Sequence, residues 1–192
     1  MMNQKDENAR TKNAVDVDDL ISRLQEEDRR SGKMLKSVYY LYLFCAIFYS
    51  ALFVLNPDPD LTIYDRLAGL FYVAAFVAGT FIFSHEIKAM KKMDYTVPLI
   101  ELLRKTEIRY RFFSYKWWYM IAILLLIGAG LIASFMNPFR FPAYPITVKL
   151  IVIQSVYWSI LVISGIIGYR VWKKRIYPVW KDVRTLLKEL DA

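Results

Sequence analysis

Apolar residues gather into four blocks, 36–55, 65–84, 117–136 and 147–172, with almost no charge between the ends of each. Each is close to the roughly 20 residues that carry a helix across about 30 Å of hydrocarbon. The pattern therefore predicts four membrane-spanning helices. Asn56-Pro57-Asp58-Pro59-Asp60 and the Pro-rich, aromatic stretch from Asn137 to Pro145 cannot continue a helix, so they predict short outer turns closing two hairpins. A long charged segment, 86–116, joins one hairpin to the next.

Three polar segments share a finer pattern. Asp19-Leu20-Ile21-Ser22-Arg23-Leu24, Pro98-Leu99-Ile100-Glu101-Leu102-Leu103 and Pro178-Val179-Trp180-Lys181-Asp182-Val183 each place a helix-starting residue before two apolar residues, two mostly polar ones and an aliphatic. The near-equal spacing, with corresponding Asn-Pro turns at Asn56 and Asn137, predicts a duplicated unit of amphipathic helix and membrane hairpin. A third amphipathic helix closes the chain. The expected fold class is an all-α integral membrane protein of two tandem hairpin repeats. Its segments are a disordered 1–15, an amphipathic helix at 16–35, hairpins at 36–85 and 117–172 around the amphipathic segment 86–116, and a last amphipathic helix at 173–192.

Charge adds direction to this picture. Of 26 Lys and Arg residues, only Arg66, Arg140 and Lys149 fall in the two turns. By the positive-inside rule both termini and the central segment are expected in the cytoplasm, in a multi-pass protein of a bacterial inner membrane. The net charge of +8 is thus a topology signal, and no nucleic-acid partner is expected. The first thirty residues hold no apolar core followed by a small-residue cleavage site, so the first span is expected to act as an uncleaved insertion signal. Residues 16–30 carry six acids against Arg23, Arg29 and Arg30, whereas 98–111 has Arg104, Lys105, Arg109 and Arg111 against Glu101 and Glu107. An acidic helix suits a basic protein surface better than an anionic leaflet, so these two are expected to pack together.

Within the spans the candidate chemistry is thin. Tyr49, deep in an aromatic first span, is expected to face other helices. In the second span Ala75 and Gly79 form a small-xxx-small pair, as do Ser164 and Gly168 in the fourth. The intramembrane polar candidates are His85, Gln154 and Tyr157. For Gln154 an interhelical hydrogen bond is the simpler expectation and a substrate contact the sharper one. Thr96 is expected to cap the middle amphipathic helix, which could run through Phe112, Phe113 and Tyr115 into the third span. Cys45 is the only cysteine, which excludes an intrachain disulfide, and no cofactor or metal site is expected.

An enzyme needs converging nucleophile, base or metal ligands, and no such motif occurs. The sequence predicts instead a non-enzymatic, membrane-anchored interaction or regulatory protein. It would present cytoplasmic amphipathic helices to a protein partner or to itself, through Leu20, Leu24, Leu99, Leu102, Leu103, Leu186 and Leu190 flanked by Arg104 and Lys105. The alternative for those leucines is that they seal a cytoplasmic cap or dip into the lipid bilayer. The alternative function is a homo-oligomeric transporter or channel built from parallel hairpin repeats.

Overall fold

The computed structural model describes residues 17–58, 60–111, 116–137 and 142–190, the side chains of Asp18 and Lys116 excepted. The elements are α1 (Val17–Tyr49) ending in a π-helical turn (Ser50–Val54), α2 (Ile63–Lys91), α3 (Leu99–Tyr110), α4 (Lys116–Met136) and α5 (Ile146–Leu190). The described chain is all-helical, and α1, α2, α4 and α5 are long and apolar enough to cross a membrane. The expected disorder of 1–15, and Phe112, Phe113 and Tyr115, lie outside the described residues.

Four expected boundaries change. The first amphipathic segment and the first span form one helix, because no proline falls between Val17 and Asn56 to stop it. Pro178 does not start a helix but lies inside α5. It is exposed, as is Lys174, so the carbonyl deprived of its N–H partner can be hydrated, and the apolar face that follows holds the helix together. The middle helix does not run on into the third span, since Arg111 turns extended (φ −61°, ψ 128°) and ends α3. Its N-cap is Pro98 and not Thr96, whose N–H and hydroxyl both donate to the Asp94 carboxylate (2.8 and 2.6 Å).

The chain divides into two compact units. An apolar unit takes Gly32–Lys92 and Phe113–Tyr169, and a polar unit takes Met1–Ser31, Met93–Phe112 and Arg170–Ala192.

In the apolar unit the helices pack where small residues permit it. A side chain at Gly69 would collide with Phe53 of the π-helical turn, and one at Gly79 with the ring of Tyr42. Around these approaches Tyr49 stacks on Phe53 (5.7 Å) and meets Tyr72 edge-on (5.2 Å), while Tyr42 meets Phe76 and Phe83. Aromatic pairs of this geometry contribute about 0.5–1.5 kcal/mol each beyond the area they bury. A side chain at Gly130 would likewise collide with the ring of Tyr72, where α4 packs on α2. The α4–α5 seam is polar: Tyr157 donates to the Leu124 carbonyl (2.6 Å) and Gln154 to that of Gly128 (3.4 Å).

The polar unit has its own core, made of Leu20 and Leu24 from α1, Leu103 and Tyr110 from α3, and Val179, Val183, Leu186 and Leu187 from α5, with Leu99 packed against it. The second and sixth positions of all three related segments therefore converge: Leu20 and Leu24, Leu99 and Leu103, Val179 and Val183. An i, i+4 pair lies on one face of a helix, so each segment contributes a single apolar stripe.

Candidate functional site

The polar unit is fastened by two consecutive carboxylates of α1. Adjacent helical residues point about 100° apart, so neighbours can address different partners. Glu27 accepts from Arg175 of α5 (2.8 Å), and Asp28 faces α3 and the turn before it. Asp28 is buried and accepts from three donors: the Tyr95 hydroxyl (2.5 Å), the Tyr110 hydroxyl (2.7 Å) and the Arg109 guanidinium. Trp172 adds a hydrogen bond from its indole to the Tyr110 carbonyl (3.1 Å).

Burial and the adjacent carboxylate shape the chemistry of these donors. The Tyr95 phenol is pushed up to about 12, first by burial and then by its hydrogen bond to Asp28. Tyr110 is driven upward for the same reasons. Burial works against the Arg109 charge, yet the Asp28 carboxylate holds the guanidinium above its ordinary value. Asp28 thus accepts from three donors on α3 and the turn before it and holds α1 and α3 in register. Among the described residues no three His, Cys, Asp or Glu side chains gather as a metal site.

On another side of this unit, α3 and α5 leave a cleft of about 360 Å³ lined by Arg104, Glu107, Ile108, Arg184, Leu187 and Lys188. Arg184 lies 3.8 Å from Glu107, and Ile108 is exposed. Three cationic side chains thus surround one carboxylate and an apolar floor.

A second buried polar group lies in the apolar unit. Thr62 and Asp65 form a capping box at the start of α2, and the Asn137 amide donates to both (3.1 and 2.9 Å). The Lys149 ammonium donates to the Asn137 carbonyl (3.4 Å), and Asp65, Asn137 and Lys149 are all buried. This group ties the start of α2, the end of α4 and the first turns of α5.

The structure sorts the candidates read from sequence. Leu20, Leu24, Leu102, Leu103 and Leu186 are buried within the chain. Leu99 is partly buried, and of the expected leucines only Leu190 is exposed. Lys105 pairs with Glu101 (2.6 Å), while Arg104 lines the cleft. Gln154 and Tyr157 are spent on backbone carbonyls, and His85 is exposed on α2. The pair Ser164 and Gly168 does not pack: Ser164 is exposed and nothing comes within 4 Å of a side chain placed at Gly165 or Gly168.

Sequence reasoning missed both buried groups. Asp28 looked like one acid among six, and Asp65 and Lys149 looked like charges of the span ends and turns. The Thr62-x-x-Asp65 spacing was the one local signal available, since it reads as a capping box. Comparison of the chain with protein-family models, curated proteins and solved structures returned no match.

Proposed function

We propose that the protein is a non-enzymatic, membrane-anchored interaction or regulatory protein whose polar unit, on the cytoplasmic side, offers the α3–α5 cleft to an acidic partner. The observation that carries this is the cleft itself: Arg104, Arg184 and Lys188 around Glu107, with the exposed Ile108 supplying apolar surface. Of the leucines expected to bind, Leu20, Leu24, Leu103 and Leu186 belong to the unit's own core, which favours the cleft as the docking surface. The asymmetry of Lys and Arg supports the cytoplasmic placement. Convergence of equivalent positions from the three related segments supports a duplicated origin.

The test is in-cell crosslinking followed by purification of the full chain. A stoichiometric soluble partner should be recovered with the native chain and lost when Arg104, Arg184 and Lys188 are changed together to Glu, with membrane insertion intact. Recovery of the same partner with the triple variant would overturn the cleft as the docking surface.

A second reading, a homo-oligomeric transporter, has one observation in its favour, the buried Asp65, Asn137 and Lys149, since ionisable groups held at such positions often mark ion or substrate paths. Solute flux into liposomes that is abolished by Asp65→Asn would favour it. Self-crosslinked oligomers without a soluble partner would point the same way.

A further inference from the structure

The apolar unit contains a groove of about 310 Å³ between the end of α4 and the first half of α5. It is lined by Phe135 of α4, by Tyr144 just before α5, and by Val148, Val152 and Val156 of α5 with Lys149 and Ile153 beside them. Val148, Val152 and Val156 are spaced four apart and make one ridge along α5, each about half exposed. The Lys149 ammonium is bonded to the Asn137 carbonyl, so its methylene stem is what the groove receives.

Three features fix the ligand class. The groove offers carbon surface along its length, so a polar ligand would lose its hydration there without recovering hydrogen bonds. Its long wall is β-branched, and Val and Ile side chains are stiff at χ1, so the concavity is preformed and cannot fill itself by rotamer changes. It also lies on a helix apolar enough to cross a membrane, where the medium is hydrocarbon. We infer that this groove is a binding site for one acyl chain of a membrane lipid, recognised by its tail and not by its headgroup. A chain lying in the concavity meets protein on several sides, whereas one against the convex face at Val162 or Ile163 meets it on one. The difference is additional dispersion contact. The inference is independent of what the polar unit binds.

The full chain in nanodiscs of phosphatidylcholine, doped with phosphatidylcholine carrying a diazirine in its acyl chain, provides the test. After photolysis and peptide mapping, adducts at Phe135, Val148, Val152 and Val156 should exceed those at Val162, Ile163 and Ile166 by about fivefold. Val152→Trp, which fills the groove from an exposed position, should abolish the excess, while Val162→Trp should leave it unchanged. Both variants should retain the helical circular dichroism of the native chain. Phosphatidylglycerol bearing the same chain should label equally. Adducts spread evenly along α5, an excess that survives Val152→Trp, or labelling that requires the anionic headgroup would each overturn the assignment.

Discussion

At the scale of single residues, Asp28 is where burial and charge meet. Removing one partner of a buried ion pair strands the other, at a typical cost of about 3–5 kcal/mol, whereas an exposed pair contributes about 0–1 kcal/mol. Asp28→Asn should therefore destabilise the polar unit strongly, read as faster amide hydrogen exchange in α3. Glu26→Gln, which breaks the exposed pair with Arg29, should change little. The tyrosines add a pH dependence. The phenol of Tyr95 keeps its proton in the folded chain up to about 12, against 10.0 when free of the fold. The fold thus favours the neutral form, so this contribution is fully present below pH 10 and is lost as pH rises toward about 12. Proteolytic resistance of the polar unit should fall across that window, and Tyr95→Phe should flatten the fall. Little of this was legible in the sequence. The opposite charges of 16–30 and 98–111 indicated that the two helices attract, but which acid would be enclosed depends on which face of α1 the leucines occupy. That face is fixed only when the third helix arrives.

At the scale of elements, glycine and proline carry the contrast between tight and open packing. Gly69→Ala would drive a methyl group into Phe53, and overpacking of this kind costs about 1–3 kcal/mol. Gly165→Ala and Gly168→Ala meet open space. The first should lower the thermal midpoint in detergent, and the other two should leave it level or raise it, since alanine is the better helix former. Pro178→Ala should also stabilise, by up to about 3 kcal/mol, because it restores an N–H inside a continuous helix. A lower melting temperature for that variant would show that α5 is interrupted there. Long apolar runs made the four long apolar helices legible. Their ends were less so, because Pro178 reads as a start signal on local chemistry, and only the buried stripe of Val179, Val183, Leu186 and Leu187 explains why the helix continues through it. The two small-xxx-small pairs were indistinguishable as strings, yet Ala75 and Gly79 are buried and Ser164 and Gly168 are exposed. What separates them is the neighbouring helix, which no local pattern encodes.

At the scale of the whole molecule, the chain alternates between polar and apolar segments, and the segments of each kind gather into one compact unit. Segments 17–31, 93–111 and 170–190 share one core although they are separated by apolar stretches. Under the topology proposed above, two apolar helices separate each polar segment from the next, so successive polar segments return to the same side. The charge distribution is what supports that proposed topology, since 23 of the 26 Lys and Arg residues lie outside the two turns. It did not reveal that the leucines of the three segments would be used against one another. The central proposal is that the three polar segments lie on one side of a membrane and the α4–α5 turn on the other. Single cysteines introduced at the exposed positions Glu26, Lys105, Lys188 and Tyr144, in a chain with Cys45→Ser, would be labelled with a membrane-impermeant maleimide in vesicles of both orientations. The account predicts that Glu26, Lys105 and Lys188 positions react only in inside-out vesicles and the Tyr144 position only in right-side-out ones. Any of the first three reacting from the same side as Tyr144 would contradict it.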